Sequence, residues 1–161
     1  MEATSKDVKI GEFTYQLGRF NARDGSWLVG QFLTRGLLYA LEPQENGKQM
    51  DEKELAGMLA ITLRTFNEAD YEKVRMKALG VCRRYEDRGV GSNAPIPIFM
   101  ADGVRYAVSP EPDLVDLTML MLSSLSFNLH CFFAPGSLEK LLTVFPGSQS
   151  TPGLTAISSD Q

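Results

Sequence analysis

The chain has 161 residues, 43% of them hydrophobic and 22% charged, which fits a single domain with a core of its own. A net charge of −4 and a pI near 5.0 argue against general nucleic-acid binding, which needs basic patches to displace counterions from phosphates. The one basic pair, Arg83-Arg84, is followed by Glu86 and Asp87. Cys82 and Cys131 lie far apart, at no metal or redox spacing, and read as reduced, buried thiols. The N-terminal MEATSKDVKI has neither the basic nor the apolar region of a signal peptide.

The first predicted element is a β-hairpin over residues 6–17, turned by Gly11-Glu12. In that register Ile10 faces Phe13 and Val8 faces Tyr15 on an apolar side, with Asp7, Lys9, Thr14 and Gln16 on the polar side. A lone hairpin is marginal in water, so its apolar face must rest on helices. Asn21 is a cap for a helix from Ala22 to Leu41, with a stripe of Val29, Phe32, Leu33, Leu37, Ala40 and Leu41. The polar EPQENGKQ then reads as a loop. A second helix starts near Asp51, with Leu55, Met58, Leu59, Thr62, Leu63 and Phe66 on one face. A third, capped by Asn67, runs over 68–87 with Tyr71, Val74, Ala78, Val81, Cys82 and Tyr85 inward.

RGVGSNAPIP reads as a loop. PIFMADGVRYAV after it carries Asp102-Gly103, a preferred hairpin turn that sets Phe99 against Tyr106 and Ala101 against Val104. Acidic residues then precede a long helix over about 113–133, favoured there by the helix dipole. Ser137 caps a short helix bearing Leu138, Leu141, Leu142 and Phe145. The expected fold class is therefore α+β, mainly α, with about five helices and two hairpins able to pair into one small antiparallel sheet. Residues 1–145 form the domain and 146–161 a polar C-terminal tail.

Little in the sequence suggests catalysis. His130 and Cys131 are sequence neighbours and so point about 100° apart on a helix. One His cannot build a His-rich metal site, and GVGSNAP lacks the dinucleotide glycine pattern. The expectation is no enzyme, no metal and no cofactor, with His130 a satisfied structural residue.

The stretch from Leu114 to Phe133 approaches membrane-spanning length, but Asp116, Ser123, Ser124, Ser126, Asn128 and His130 argue against a span. Two apolar stripes run along it. One is Leu114, Leu117, Met121, Leu125, Leu129 and Phe132; the other is Val115, Met119, Leu122 and Phe133. A helix apolar on two sides is buried on two sides, either by its own domain or by a partner. Met119, Leu122, Phe133, Leu138 and Leu142 are the candidate partner-binding residues. Asn128 needs hydrogen-bond partners for its amide, and backbone at a hairpin edge would supply them.

The order of parts resembles the tail assembly chaperones of long-tailed bacteriophages and prophages. The matching stretches are VKIGEFTYQLGRF, ARDGSWLVGQFL, VRYAV and LSSLSFNLHCFF leading to LEKLL, over roughly residues 7–145. The resemblance implies a non-catalytic protein of the bacterial host cytoplasm. It would bind the helical tape-measure protein, help tail tube protein assemble around it, and then leave. Self-association is compatible with that role; nucleic acid and membrane are not among the implied partners. The alternative of another class is a small structural tail component, a completion protein or baseplate adaptor, which would stay in the particle.

Overall fold

The computed structural model describes residues 3–36, 50–87 and 93–133. Strands β1 (Ser5–Ile10) and β2 (Phe13–Gly18) make the expected hairpin, with Ile10 opposite Phe13, Val8 opposite Tyr15, and Gly11 in the turn at φ +60°. Helix α1 (Ala22–Thr34) is capped by Asn21, whose side chain accepts from the Asp24 N–H at 2.8 Å. It ends earlier than expected. Arg35 is the C-cap and Gly36 takes φ +85°, the left-handed geometry that closes a helix, so Gly36 is a stop and not an interior residue. Leu37, Ala40 and Leu41 lie outside the described residues. Helix α2 (Glu52–Leu63) starts from Asp51 in a capping box with Glu54. Helix α3 (Glu68–Gly80) starts from Asn67, as expected.

The expected fold class, about five helices with two hairpins, is overturned. Among the described residues there are four α-helices and one antiparallel sheet in the order β1-β2-β3-β4. The third helix does not reach residue 87. It stops at Gly80, and β3 (Cys82–Asp87) pairs with β2 through Tyr15–Arg84 and Leu17–Cys82. Glycine is a poor helix former, and the open edge of β2 offers a full ladder of hydrogen bonds to the chain that leaves the helix there. The segment read as a loop forms β4 (Asn93–Pro97), paired along β3. Its two prolines cannot donate into a ladder and are tolerated because β4 is an edge strand. Phe99 pairs with Tyr106 as expected, with ring centroids 5.1 Å apart, but the loop is wider than a two-residue Asp102-Gly103 turn: the Met100 N–H donates to the Arg105 carbonyl and the Gly103 N–H to the Met100 carbonyl, so Ala101 is not set against Val104. The Phe99–Tyr106 pairing is an isolated bridge and does not join the sheet, so the second hairpin of the sheet is β3–β4.

The sheet buries one face only. Tyr15, Leu17, Cys82 and Arg84 are buried on it, while Lys9, Thr14 and Arg83 are exposed on the other. Helix α4 (Leu114–Leu129), continued by a 3-10 turn (His130–Phe133), lies against the buried side and touches α1, α2, α3, β1 and β2. Around it pack Leu28, Phe32, Leu55, Leu59, Val74 and Leu79. Cys82 is a buried thiol, as expected; its Sγ donates to the Ala78 carbonyl and burial pushes its pKa up to about 12. Cys131 is half-buried. The short helix and tail expected over 137–161 lie outside the described residues.

Gly18 is where the chain leaves the sheet, and it does so by close backbone contact. Its N–H donates to the Val81 carbonyl at 2.9 Å, and a Cβ on it would stand 2.8 Å from that same oxygen. Backbone cannot swing aside as a side-chain tip can. Gly18→Ala is expected to cost about 2 kcal/mol, within the usual range for overpacking, read as a lower urea midpoint. Gly30→Ala, with nothing within 4 Å of the added carbon, is the control that should not destabilise.

Candidate interaction surface

The two halves of α4 are held differently. In the C-terminal half, polar side chains at every second position tie the helix to a different neighbour. Ser124 Oγ donates to the Ala78 carbonyl of α3 at 2.7 Å, and Ser126 Oγ to the Glu52 carbonyl of α2 at 2.7 Å. The Asn128 amide donates to the Gly18 carbonyl at 3.0 Å and accepts from the Phe20 N–H at 2.8 Å. This is the hairpin-edge partnership the sequence called for. His130 Nε2 stands 3.0 Å from the Met50 carbonyl, so that nitrogen carries the proton, and the histidine is structurally satisfied. Leu125 and Leu129 are fully buried between these ties, and Leu120 one turn before them.

The N-terminal half is bare. Asp113 caps it by accepting from the Asp116 N–H at 2.8 Å, and the Thr118 hydroxyl turns back to its own Leu114 carbonyl. Leu114, Val115 and Met119 are 80%, 67% and 52% exposed. Leu114 is exposed although Met121, Leu125 and Leu129, which share its expected stripe, are buried. Leu120, on neither expected stripe, is fully buried. The covered side is thus rotated from the one the leucine spacing suggested.

Thr118 and Met119 lie three and four residues after Val115 and four and three before Leu122, so the four share one face. Beside that face opens a cleft of about 210 Å³ lined by Ala60, Leu63 and Arg64 of α2, Tyr71 of α3, and Thr118, Met121 and Leu122 of α4. Ile61, next to Ala60, is 66% exposed. The volume falls short of the roughly 300–1,000 Å³ of small-molecule sites. It has the size to receive one or two apolar side chains from a larger partner. Arg64 at the rim adds a cationic group.

Of the candidate partner-binding residues, the structure places Met119 on the exposed face and Leu122, half-buried, in the cleft wall. Phe133 closes the 3-10 turn, roughly 16 Å beyond Leu122 along the helix axis at 1.5 Å per residue. Leu138 and Leu142 lie outside the described residues. Ala60, Ile61 and Arg64 were not singled out from the sequence, and Tyr71 was read only as an inward residue of its helix, because their part in the cleft depends on how α2 and α3 dock against α4. Among the described residues no three His, Cys, Asp or Glu side chains gather at metal-binding distance, and no helix is long and apolar enough to cross a membrane. No protein-family model, curated protein or solved structure matches the chain.

Proposed function

We propose that the protein is a non-catalytic tail assembly chaperone of a bacteriophage or prophage, holding an amphipathic helix of a tape-measure protein on the bare half of α4. The observation that carries this reading is the run of exposed Leu114, Val115 and Met119 leading into the α2–α4 cleft. Leu114, Val115 and Met119 cluster at one end of the helix, and clustered exposed apolar side chains mark interaction sites where scattered ones do not. A methionine on such a face adapts its shape to different client residues. A client helix lays its apolar positions into a groove at spacings of three and four, and one such side chain fills the cleft. The chaperone reading itself rests on the resemblance of VKIGEFTYQLGRF, ARDGSWLVGQFL, VRYAV and LSSLSFNLHCFF to stretches of tail assembly chaperones.

The test is co-expression with the largest neighbouring open reading frame, followed by affinity capture and by analysis of purified particles. A soluble complex in lysate, together with absence from finished tails, is the expected result. Retention in the particle at fixed copy number would replace this reading with that of a structural adaptor. Val115→Asp with Met119→Asp should reduce client capture at least tenfold while leaving the thermal midpoint nearly unchanged, since both side chains are largely in solvent. Undiminished capture would move the binding surface elsewhere.

A further inference from the structure

The two edges of the sheet are built differently, and the difference identifies a surface for a second copy of this chain. At one edge stands β4, paired with β3 at all five of its positions. Pro95 and Pro97 have no N–H, so it is the alternate residues Ala94 and Ile96 that donate into that ladder. The prolines fall at the outward positions. That edge cannot be extended. At the other edge stands β1, whose six residues include no proline. Its two-residue turn makes Ile10 and Phe13 the closing hydrogen-bonded pair, so Lys6, Val8 and Ile10 face β2. Ser5, Asp7 and Lys9 direct their backbone groups outward, and among the described residues no strand covers them.

The charges along this edge are self-complementary. We infer that β1 pairs with β1 of a second copy, antiparallel about a two-fold axis at Val8, joining the two sheets into one of eight strands. In that register Asp7 lies opposite Lys9 of the second copy, and Lys9 opposite its Asp7. Both pairs sit at outward positions, so each exchanges two backbone hydrogen bonds. Opposite charges facing across strands are favourable, and like charges are not. Shifting the pairing by two residues to centre on Asp7 sets Asp7 against Asp7, so the charge pattern also selects the register. Val8 meets Val8 on the side that carries the helices. Such a contact is isologous and closes at two copies, because the far edges of the combined sheet are the proline-bearing β4 strands. Asp7 already accepts from the Tyr85 hydroxyl at 3.1 Å, and a carboxylate has lone pairs for a second donor. Lys9 makes no side-chain hydrogen bond or ion pair among the described residues and is free to meet a partner carboxylate. This inference does not depend on the identity of any client.

Sedimentation velocity on the full chain, from micromolar to millimolar concentration, tests it. The wild-type chain should dimerise as concentration rises. Asp7→Lys and Lys9→Asp should each weaken the dimer about tenfold or more, each replacing two attractive pairs by two repulsive ones. The double variant Asp7→Lys/Lys9→Asp restores opposite charges in both pairs and should recover the wild-type dissociation constant. Circular dichroism verifies folding, and Lys9→Asp serves alone if loss of the Tyr85 contact unfolds Asp7→Lys. A wild-type chain that is monomeric throughout overturns the inference. So does a dimer that neither reversal weakens, or one that the charge swap fails to rescue.

Discussion

Asn128→Ala is expected to lower the unfolding free energy by about 3 kcal/mol, seen as a lower urea midpoint with an unchanged slope. The side chain is buried and uses both ends of its amide. It accepts from Phe20 N–H, and donates to the carbonyls of Gly18 and Ser124. Gly18 ends β2 and Phe20 leads into α1, so this one amide replaces the ladder that stops where the chain turns from sheet to helix. Alanine leaves the Phe20 donor and the Gly18 acceptor without these partners in a half-buried corner. An unmade buried hydrogen bond costs about 1–3 kcal/mol, and two are unmade here. Asn128→Asp separates the two halves of the effect. It keeps the acceptor for Phe20 but removes the donor to Gly18 and buries a charge, so it too should destabilise. Ser123→Ala on the same helix is the control, expected within about 0.5 kcal/mol of wild type. A loss below about 1 kcal/mol for Asn128→Ala would mean that the β2–α1 corner is held by packing alone.

What could be read from the sequence was local chemistry. The β1–β2 register follows from a two-residue glycine turn and strict alternation, both contained within a dozen residues. Asn21 and Asn67 could be identified as caps because their side chains serve backbone three residues on. Asn128 stood out because a buried amide demands partners, and the kind of partner could be stated before its identity. Strand β3 was hidden for a specific reason. Its inward residues are Cys82 and Arg84, and an arginine in that position makes the alternation look polar. Val81, Cys82 and Tyr85 meanwhile continued the helical spacing of α3. Strand β4 was hidden by its prolines, whose outward placement is visible only once β3 is known to be a strand. The face of α4 was ambiguous in another way. When nearly every position is apolar, the spacing says which residues share a side but not which side the rest of the protein covers. Met119 and Leu122 could therefore be proposed, while the exposure of Leu114 and the burial of Leu120 could not.

Arg84→Met is expected to destabilise by about 3 kcal/mol, and adding Glu86→Leu should restore more than half of that loss. Arg84 is fully buried, the largest side chain to be so among the described residues. Its Nε and one terminal nitrogen donate to Glu86 Oε1 at 2.8 and 2.5 Å, and the other terminal nitrogen donates to the Pro110 carbonyl at 2.7 Å. The guanidinium lies 4.1 Å from the centre of the Phe13 ring. It thereby links β3, the loop before α4 and the start of β2. Tyr15, opposite Arg84 in the sheet, makes no hydrogen bond of normal geometry through its buried hydroxyl. Burial raises that phenol's pKa, and the nearby Arg84 charge opposes the rise without cancelling it. Methionine preserves much of the arginine stem but leaves Glu86 charged and unpaired, and breaking a buried pair from one side costs about 3–5 kcal/mol. Glu86 keeps some access to water, which places the expectation at the lower end. Replacing both partners by apolar groups removes the stranded charge, so most of the loss should return; the remainder measures the bond to Pro110. If the double variant is as unstable as the single one, the guanidinium acts chiefly by fixing the 109–110 loop, and the pair with Glu86 contributes little. Urea titration of the two variants beside wild type separates these outcomes, with near-ultraviolet circular dichroism reporting whether the aromatic packing as a whole changes.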